Sequence, residues 1–186
     1  PALDERIRAV SHFEKTGELD PNANIQFGEG GAGTFSDGKL TTRVGDPLCA
    51  FVTGAFLDHG APADIAWRQK PHVGTDLLRD VIRSIRGEIE SLGGEVRFNT
   101  ALTGLQIRNG ALTGIDTTAG SVACEQLILA VGHSARDTFA MLHELGLPLA
   151  CKPFSVGFRA EHLQMEIDKS LYHGEAGHPA LPKGEY

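Results

Sequence analysis

The residues best suited to chemistry lie in one glycine-rich stretch, residues 27–40. Five glycines there are mixed with hydroxyl, carboxyl and amino side chains. Successive glycines leave backbone N–H groups open, so such a stretch can form a nest for an anion or a phosphate. We therefore predict cofactor-binding residues at Gly30, Gly31, Gly33, Thr34, Phe35, Ser36, Asp37, Gly38 and Lys39. A surface loop without a ligand is the alternative interpretation, and for Lys39 a solvated side chain is equally open.

Two nucleotide-binding patterns overlap in this stretch. Gly28, Gly30 and Gly33 have the GxGxxG spacing of a dinucleotide-binding turn, which a helix must follow directly. Residues 34–38 are not a helix-forming run, so we reject that interpretation. Residues 33–39 match most of a P-loop, but Leu40 stands where Ser or Thr should hold magnesium. A phosphate- or nucleotide-binding domain that uses Gly33 to Lys39 stays open as an alternative function.

A second group of polar residues follows an apolar run, residues 126–132, which is typical of a parallel strand buried on both faces. His133 comes directly after Gly132, where open α/β sheets bind ligands, and an imidazole can move protons near neutral pH. The candidate proton donors or substrate contacts are His133, Arg136, Arg159, Glu161 and His162. A structural interpretation is also open for His133, as a hydrogen-bonded structural histidine, and for Arg159 and Glu161, as an ion pair.

Alternating helices and strands must position these residues. Helices are predicted over residues 3–16, 47–58, 75–92, 134–145 and 161–170, with Thr75 and Ser134 as N-caps and Asp137 completing a capping box. Strands are predicted over residues 95–98, 102–107, 113–117, 121–124 and 126–132, with one or two more in residues 150–159. Asn109-Gly110 is the strongest hairpin signal. This order predicts an α/β fold, a partial parallel sheet with a β-meander laid against it.

Composition excludes several classes of protein. The formal net charge of −7 argues against a nucleic-acid surface, which needs a basic stripe. No run of 18 apolar residues is present, so we expect no membrane span. Three widely spaced cysteines do not form a disulfide framework and suit a reducing cytoplasm, and the scattered histidines predict no metal site. The chain begins at Pro1 and stops at Tyr186, which suggests a piece cut from a larger protein.

Four blocks carry a resemblance to a known family: residues 28–40, 71–76, 130–138 and 152–162. Together they resemble the bacterial family of uncharacterised FAD-dependent dehydrogenases, within the wider group of glutathione-reductase-like flavoproteins. The resemblance implies an FAD/NAD(P)-binding-like fold and FAD as cofactor. It also implies a small-molecule substrate and NAD(P)H as a candidate partner. The dinucleotide-binding βαβ unit of such proteins is missing here and is expected upstream of Pro1.

The same resemblance assigns roles along the chain. It places Ala130, Gly132 and Ser134 close to the cofactor, and Leu102 against the adenine through backbone atoms. The helix that begins after Ser134 either faces the flavin with its positive end or is an ordinary core helix. Residues 1–70 would form a helical and glycine-rich region, residues 71–147 part of the FAD-binding domain, and residues 148–186 the start of a substrate or cap domain.

The sequence therefore predicts the middle fragment of a cytoplasmic FAD-dependent oxidoreductase, with little activity of its own. A non-catalytic binding domain is the third hypothesis, after the phosphate-binding one, because the dinucleotide fingerprint is missing.

Overall fold

The computed structural model divides the chain into two compact units, Pro1–Leu147 and Pro148–Tyr186. The structure describes residues 1–36, 38–40, 42, 44–68, 71–154, 156–158 and 160–185. Two residues predicted to have functional roles, Asp37 and Arg159, lie outside the described residues.

The first unit begins with helix α1, Leu3–Thr16. Leu3 and Val10 bury one face, and the acidic residues Asp4 and Glu5 lie in the first turn, where the helix dipole favours negative charge. Gly17 ends the helix with φ of 77°, and its N–H donates to the carbonyl of Phe13 at 2.7 Å. The predicted bounds of this helix are confirmed.

Helices α2, Leu48–Asp58, and α3, Thr75–Ser91, meet around the main apolar core of the first unit. The buried members of this core are Ala61, Ile65, Val73, Leu78 and Val81. The prediction of Thr75 as N-cap of α3 is wrong, because Thr75 is already helical and Gly74 holds the cap position with φ of 82°. The N–H of Val73 donates to the carbonyl of Gly38, and the chain must then turn sharply into α3, which a glycine allows.

Three antiparallel strands form the predicted meander: β1, Leu102–Arg108, β2, Ala111–Thr117, and β3, Gly120–Val122, in the order β1-β2-β3. Arg108 faces Ala111 across the first turn, and Leu105 faces Ile115 further along the ladder. Asn109 and Gly110 both have positive φ, 52° and 77°, as a two-residue hairpin turn requires. The mixed α/β class and the meander are confirmed.

The predicted parallel sheet is wrong for the described residues. Residues 95–98 and 126–132 form no strand, and no described residue exchanges a hydrogen bond with residues 126–132. Ile128 is 90% exposed, although the apolar run suggested burial on both faces. A strand exists only where a neighbouring strand pairs with it, and the apolar pattern alone could not show whether the described chain supplies that neighbour.

Helix α4, Arg136–Glu144, closes the first unit, but the predicted capping box is wrong. Ala135 holds the cap position without a side-chain hydrogen bond, whereas the hydroxyl of Ser134 bonds to Nδ1 of His133 at 3.1 Å. The N-cap therefore lies one residue later than predicted, because the Ser134 side chain is engaged by the neighbouring ring.

The second unit contains helix α5, Gln164–Tyr172, followed by a short 3₁₀ turn, His173–Glu175. The amide of Gln164 donates to the carbonyl of Gly184, and the N–H of Gly184 donates to Oδ1 of Asp168 at 2.7 Å, so the last residues fold back on α5. The strands predicted within residues 150–159 are absent from the described part of that range, residues 150–154 and 156–158. Across the described residues of both units, we find no helix long and apolar enough to cross a membrane.

Candidate functional site

The first unit contains a cavity of about 400 Å³ whose walls come from two distant parts of the chain. One wall belongs to the glycine-rich stretch and the other to the end of the apolar run. The lining residues are Gln26, Phe27, Gly28, Gly31, Ala32, Ala130, Val131, Gly132, His133 and Ser134. Its volume falls in the range of small-molecule sites, roughly 300–1,000 Å³.

The first wall is a tightly packed turn in which glycine is required. Gly28 has φ of 101°, and a Cβ there would lie 2.7 Å from Cδ of Arg6 and 2.7 Å from the carbonyl oxygen of Pro1. Gly31 has φ of 65°, but a Cβ there would meet no atom within 4 Å, so this backbone is open. The wall is therefore backed by α1 on one side and presents bare backbone on the other.

The second wall, residues 130–134, belongs to no helix or strand. No described residue accepts a hydrogen bond from the amides of Gly132 and His133, and Gly132 has φ of 71°. The ring of His133 is exposed and is held at Nδ1 by Ser134. Unpaired amides beside an imidazole and a hydroxyl can bind polar or anionic groups of a ligand, because such donors need partners when water is displaced.

Five of the predicted site residues come together at this cavity: Gly31, Ala130, Gly132, His133 and Ser134. Other members of the glycine-rich stretch lie elsewhere. Thr34 is fully buried, and the Phe35 ring lies against the guanidinium groups of Arg6 and Arg79, 4.6 Å and 5.2 Å from the ring centroid. The remaining predicted members, Gly30, Gly33 and Ser36, belong to this turn without lining the cavity.

Gly38 and Lys39 join a different segment of the chain. Lys39 forms an isolated antiparallel bridge with His72, and the N–H of Leu40 donates to the carbonyl of Pro71 at 2.9 Å. Gly38 is buried, and a Cβ there would lie 3.3 Å from the backbone nitrogen of Gly74. These residues therefore fasten the glycine-rich stretch to the residues that lead into α3.

The remaining predicted residues do not line the cavity. Leu102 begins β1 and is half-buried, and Arg136 begins α4 and is exposed. Glu161 and His162 belong to the second unit, where they are exposed and precede α5.

The structure also adds residues that sequence reasoning missed. The cavity is also lined by Gln26, Phe27, Ala32 and Val131. Their position next to the glycines in the sequence could have indicated this. Arg6 lies beneath the first wall and is fully buried. The helical spacing could have indicated its burial, because Arg6 lies on the same helix face as the buried residues Leu3 and Val10.

The glycine-rich stretch does not have the loop-to-helix arrangement that a P-loop requires. Between Phe35 and Leu48, the described residues form no α-helix, so the stretch from Gly33 to Lys39 does not lead directly into a helix as a P-loop does. Across the part of the chain that the structure describes, no group of three or more His, Cys, Asp or Glu residues could hold a metal ion.

The sequence matches the FAD dependent oxidoreductase family over residues 78–182, more than half of the chain. The chain therefore belongs to the FAD dependent oxidoreductase family. Membership implies an FAD/NAD(P)-binding fold and supports FAD as the cofactor of the complete protein. The chain is also 46% identical, over 184 residues, to an uncharacterized protein of Clostridium beijerinckii (strain ATCC 51743 / NCIMB 8052). That match covers 99% of this chain but 34% of the relative, so the chain spans about a third of the relative's length.

The residues around the cavity fit part of such a cofactor. Two glycines, Gly31 and Gly132, leave bare backbone on the two walls, which lets a phosphate or a flat ring approach closely. The hydroxyl oxygen of Thr34 is buried without a hydrogen-bond partner among the described residues, but Thr34 does not line the cavity.

Proposed function

We propose that this chain forms one side of the flavin site of an FAD-dependent oxidoreductase. The observation that carries the proposal is the cavity in which residues 26–32 meet residues 130–134 in a chain of an FAD-dependent family. The backbone of Gly31 and of Gly132 would contact the cofactor. FAD, when bound, supplies the two-electron redox chemistry, whereas the protein supplies position and electrostatics.

Within this proposal, the residues of the second wall have separate tasks. The amides of Gly132 and His133 donate hydrogen bonds to polar atoms of the cofactor. Ser134 holds the His133 ring at Nδ1, which leaves Nε2 to hold or release a proton at the cavity. Arg136 lies close by in sequence as a contact for an anionic group.

The finer assignment is a bacterial, cytoplasmic dehydrogenase of the glutathione-reductase-like group. Its substrate would be a small molecule, with NAD(P)H as a candidate electron donor and with Glu161 and His162 as candidate substrate contacts. Leu102 would contact the adenine. The chain would depend on the rest of the complete protein for full activity. The four sequence blocks and the family match support this assignment.

The test uses the complete protein, purified and examined by visible absorbance, with FAD affinity measured by titration. We expect a bound flavin, and we expect Gly31→Ala and Gly132→Ala to weaken FAD binding by roughly tenfold, because each methyl group intrudes on open backbone. Gly17→Ala is the matched control, since its φ of 77° gives similar backbone strain at a position outside the cavity. A colourless protein that binds no FAD would refute the proposal.

A further inference from the structure

Arg6 is a buried arginine of α1, and its side-chain hydrogen bonds to described residues all go to one loop. Arg6 donates from Nε to the carbonyl of Asn24 at 3.1 Å and from Nη2 to the carbonyl of Ile25 at 2.7 Å. Its Nη1 donates to the carbonyls of Gly28, at 3.4 Å, and Glu29. Every acceptor is therefore a backbone carbonyl of residues 24–29, the segment that leads into the first cavity wall.

The same loop supplies a negative charge, the carboxylate of Glu29, close to the positive charge of Arg6. Burial lowers the pKa of Arg6 to about 10 and the carboxylate of Glu29 opposes this shift, so the guanidinium stays charged at neutral pH. The Glu29 side chain is 7% exposed and lies 3.4 Å from Nε of Arg86 on α3. Its other oxygen accepts the N–H of Leu3 at 2.8 Å. The loop is thus held to α1 by a cation and an anion at neighbouring points.

Arginine is the side chain that this arrangement requires. Its planar fork presents five N–H donors in fixed directions, whereas a lysine ammonium presents three on a flexible stem. The guanidinium also lies over the Phe35 ring at 4.6 Å from the centroid, which fastens the far end of the glycine-rich turn to the same group.

We propose that Arg6 is a positioning residue for the flavin site, acting through the first wall of the cavity. By drawing the carbonyl oxygens of Asn24, Ile25, Gly28 and Glu29 towards α1, Arg6 keeps their negative ends away from the cavity. The turn then presents Phe27, Gly28 and Gly31 to a ligand, and it does so before the ligand arrives. This inference rests on the proposed function for the identity of the ligand.

The physical consequence is preorganisation. Without the fork, carbonyl groups released from Arg6 can rotate towards the cavity, where they repel phosphate or an electron-rich ring. The loop must also be ordered again when FAD binds, and that entropy lowers affinity. A purely structural arginine would lower the stability of the protein and leave the affinity of the folded fraction unchanged.

The experiment compares wild type, Arg6→Lys and Arg8→Lys in the complete protein, where Arg8 is an exposed arginine of the same helix. Three quantities are measured: the dissociation constant for FAD, the absorbance spectrum of the bound flavin, and hydrogen exchange of residues 24–31 without FAD. We expect Arg6→Lys to weaken FAD binding by about tenfold, shift the flavin bands and speed exchange in the loop. Arg8→Lys should match wild type in all three.

Glu29→Gln is a second variant, which keeps the side-chain shape and loosens the same loop. It should weaken FAD binding by a smaller factor than Arg6→Lys. If Arg6→Lys does not fold, the FAD affinity of Glu29→Gln tests the proposal instead. Unchanged FAD affinity in the folded variants would overturn the role of Arg6 while leaving the proposed function intact. Wild-type protein that binds no FAD would instead remove the proposed function, and exchange of residues 24–31 would still test whether Arg6 orders the loop.

Discussion

At the scale of single residues, Asp116 shows how one carboxylate can join three strands. Its Oδ1 accepts from the hydroxyl of Ser121 on β3 at 2.6 Å and from the amide of Gln106 on β1 at 2.7 Å. The Ser121 hydroxyl, and then the Gln106 amide, lower the pKa of Asp116 below its ordinary value of 3.8. Both donors bond to the ionised form, so ionised Asp116 stabilises the meander.

We predict that Ser121→Ala raises the pKa of Asp116 towards 3.8. The substitution removes the hydrogen bond that lowers this pKa most. Since the folded pKa is lowered, the stabilisation is present above pH 3.8 and is lost as the pH falls through the folded value. Carboxyl chemical shifts followed by NMR during an acid titration measure this directly. Ser91→Ala is the control, because Ser91 bonds to the carbonyl of Glu88 in α3. A pKa that stays at its wild-type value in Ser121→Ala would contradict the prediction.

At the scale of elements, the hairpin between β1 and β2 depends on its two turn residues. Gly110 has φ of 77°, a left-handed conformation that costs a β-branched residue about 1–2 kcal/mol. We therefore predict that Gly110→Val lowers the free energy of unfolding by about that amount, measured by urea denaturation.

Asn109→Gly is the matched control for the hairpin, since glycine adopts the φ of 52° at that position easily. Its effect should stay within about 1 kcal/mol, the extra entropy that glycine loses on folding. Equal losses for Gly110→Val and Asn109→Gly would show that the turn conformation does not set the stability of the hairpin.

Residues 126–132 are the element that the described chain leaves unpaired. Leu129 and Val131 are partly exposed and Ile128 almost fully so, while the backbone lacks partners among the described residues. An apolar segment of this kind is stable when a neighbouring strand covers it. We predict that amides of residues 127–131 exchange slowly with deuterium in the complete protein, as slowly as those of β1 and β2. Exchange as fast as that of Lys152 and Phe154, which lie in no helix or strand, would show that no strand pairs there.

At the scale of the whole molecule, the first unit depends on the apolar core between α2 and α3. Leu78 is 5% exposed within this core, whereas its neighbour Leu77 is 49% exposed. We predict that Leu78→Ala lowers the free energy of unfolding by about 2–5 kcal/mol, because it leaves a cavity. Leu77→Ala, on the same helix, should change it by about 0.5 kcal/mol or less, as an exposed substitution does. Thermal melts of both variants test this, and similar melting temperatures would contradict it.

The core also matters for the candidate site, because it sets where the glycine-rich stretch can lie. Leu40 packs against the core, and Gly38 fits against Gly74 and Leu78 at the start of α3. The start of α3 therefore contacts the end of the stretch, while Arg6 of α1 bonds to its beginning. Both helices thus contact the stretch that forms the first wall of the cavity.

The sequence by itself determined the local elements, because each follows from neighbouring residues. Leu3, Ile7 and Val10 specify α1, Gly17 ends it, and Asn109-Gly110 specifies the hairpin. Tertiary structure decided the features that join distant residues. An apolar run becomes a strand only beside a partner, so the parallel sheet could not be read from residues 126–132.

The site divides in the same way. Glycine density marked residues 28–33, and the polar residues that follow an apolar run marked residues 130–134. A family resemblance suggested their cofactor. Only the fold showed that these segments share one cavity, that Thr34 and Phe35 turn inwards, and that Arg6 lies beneath the wall. The physical reason is that burial of an arginine depends on carbonyl acceptors supplied by a separate loop, and helical spacing alone does not reveal those acceptors.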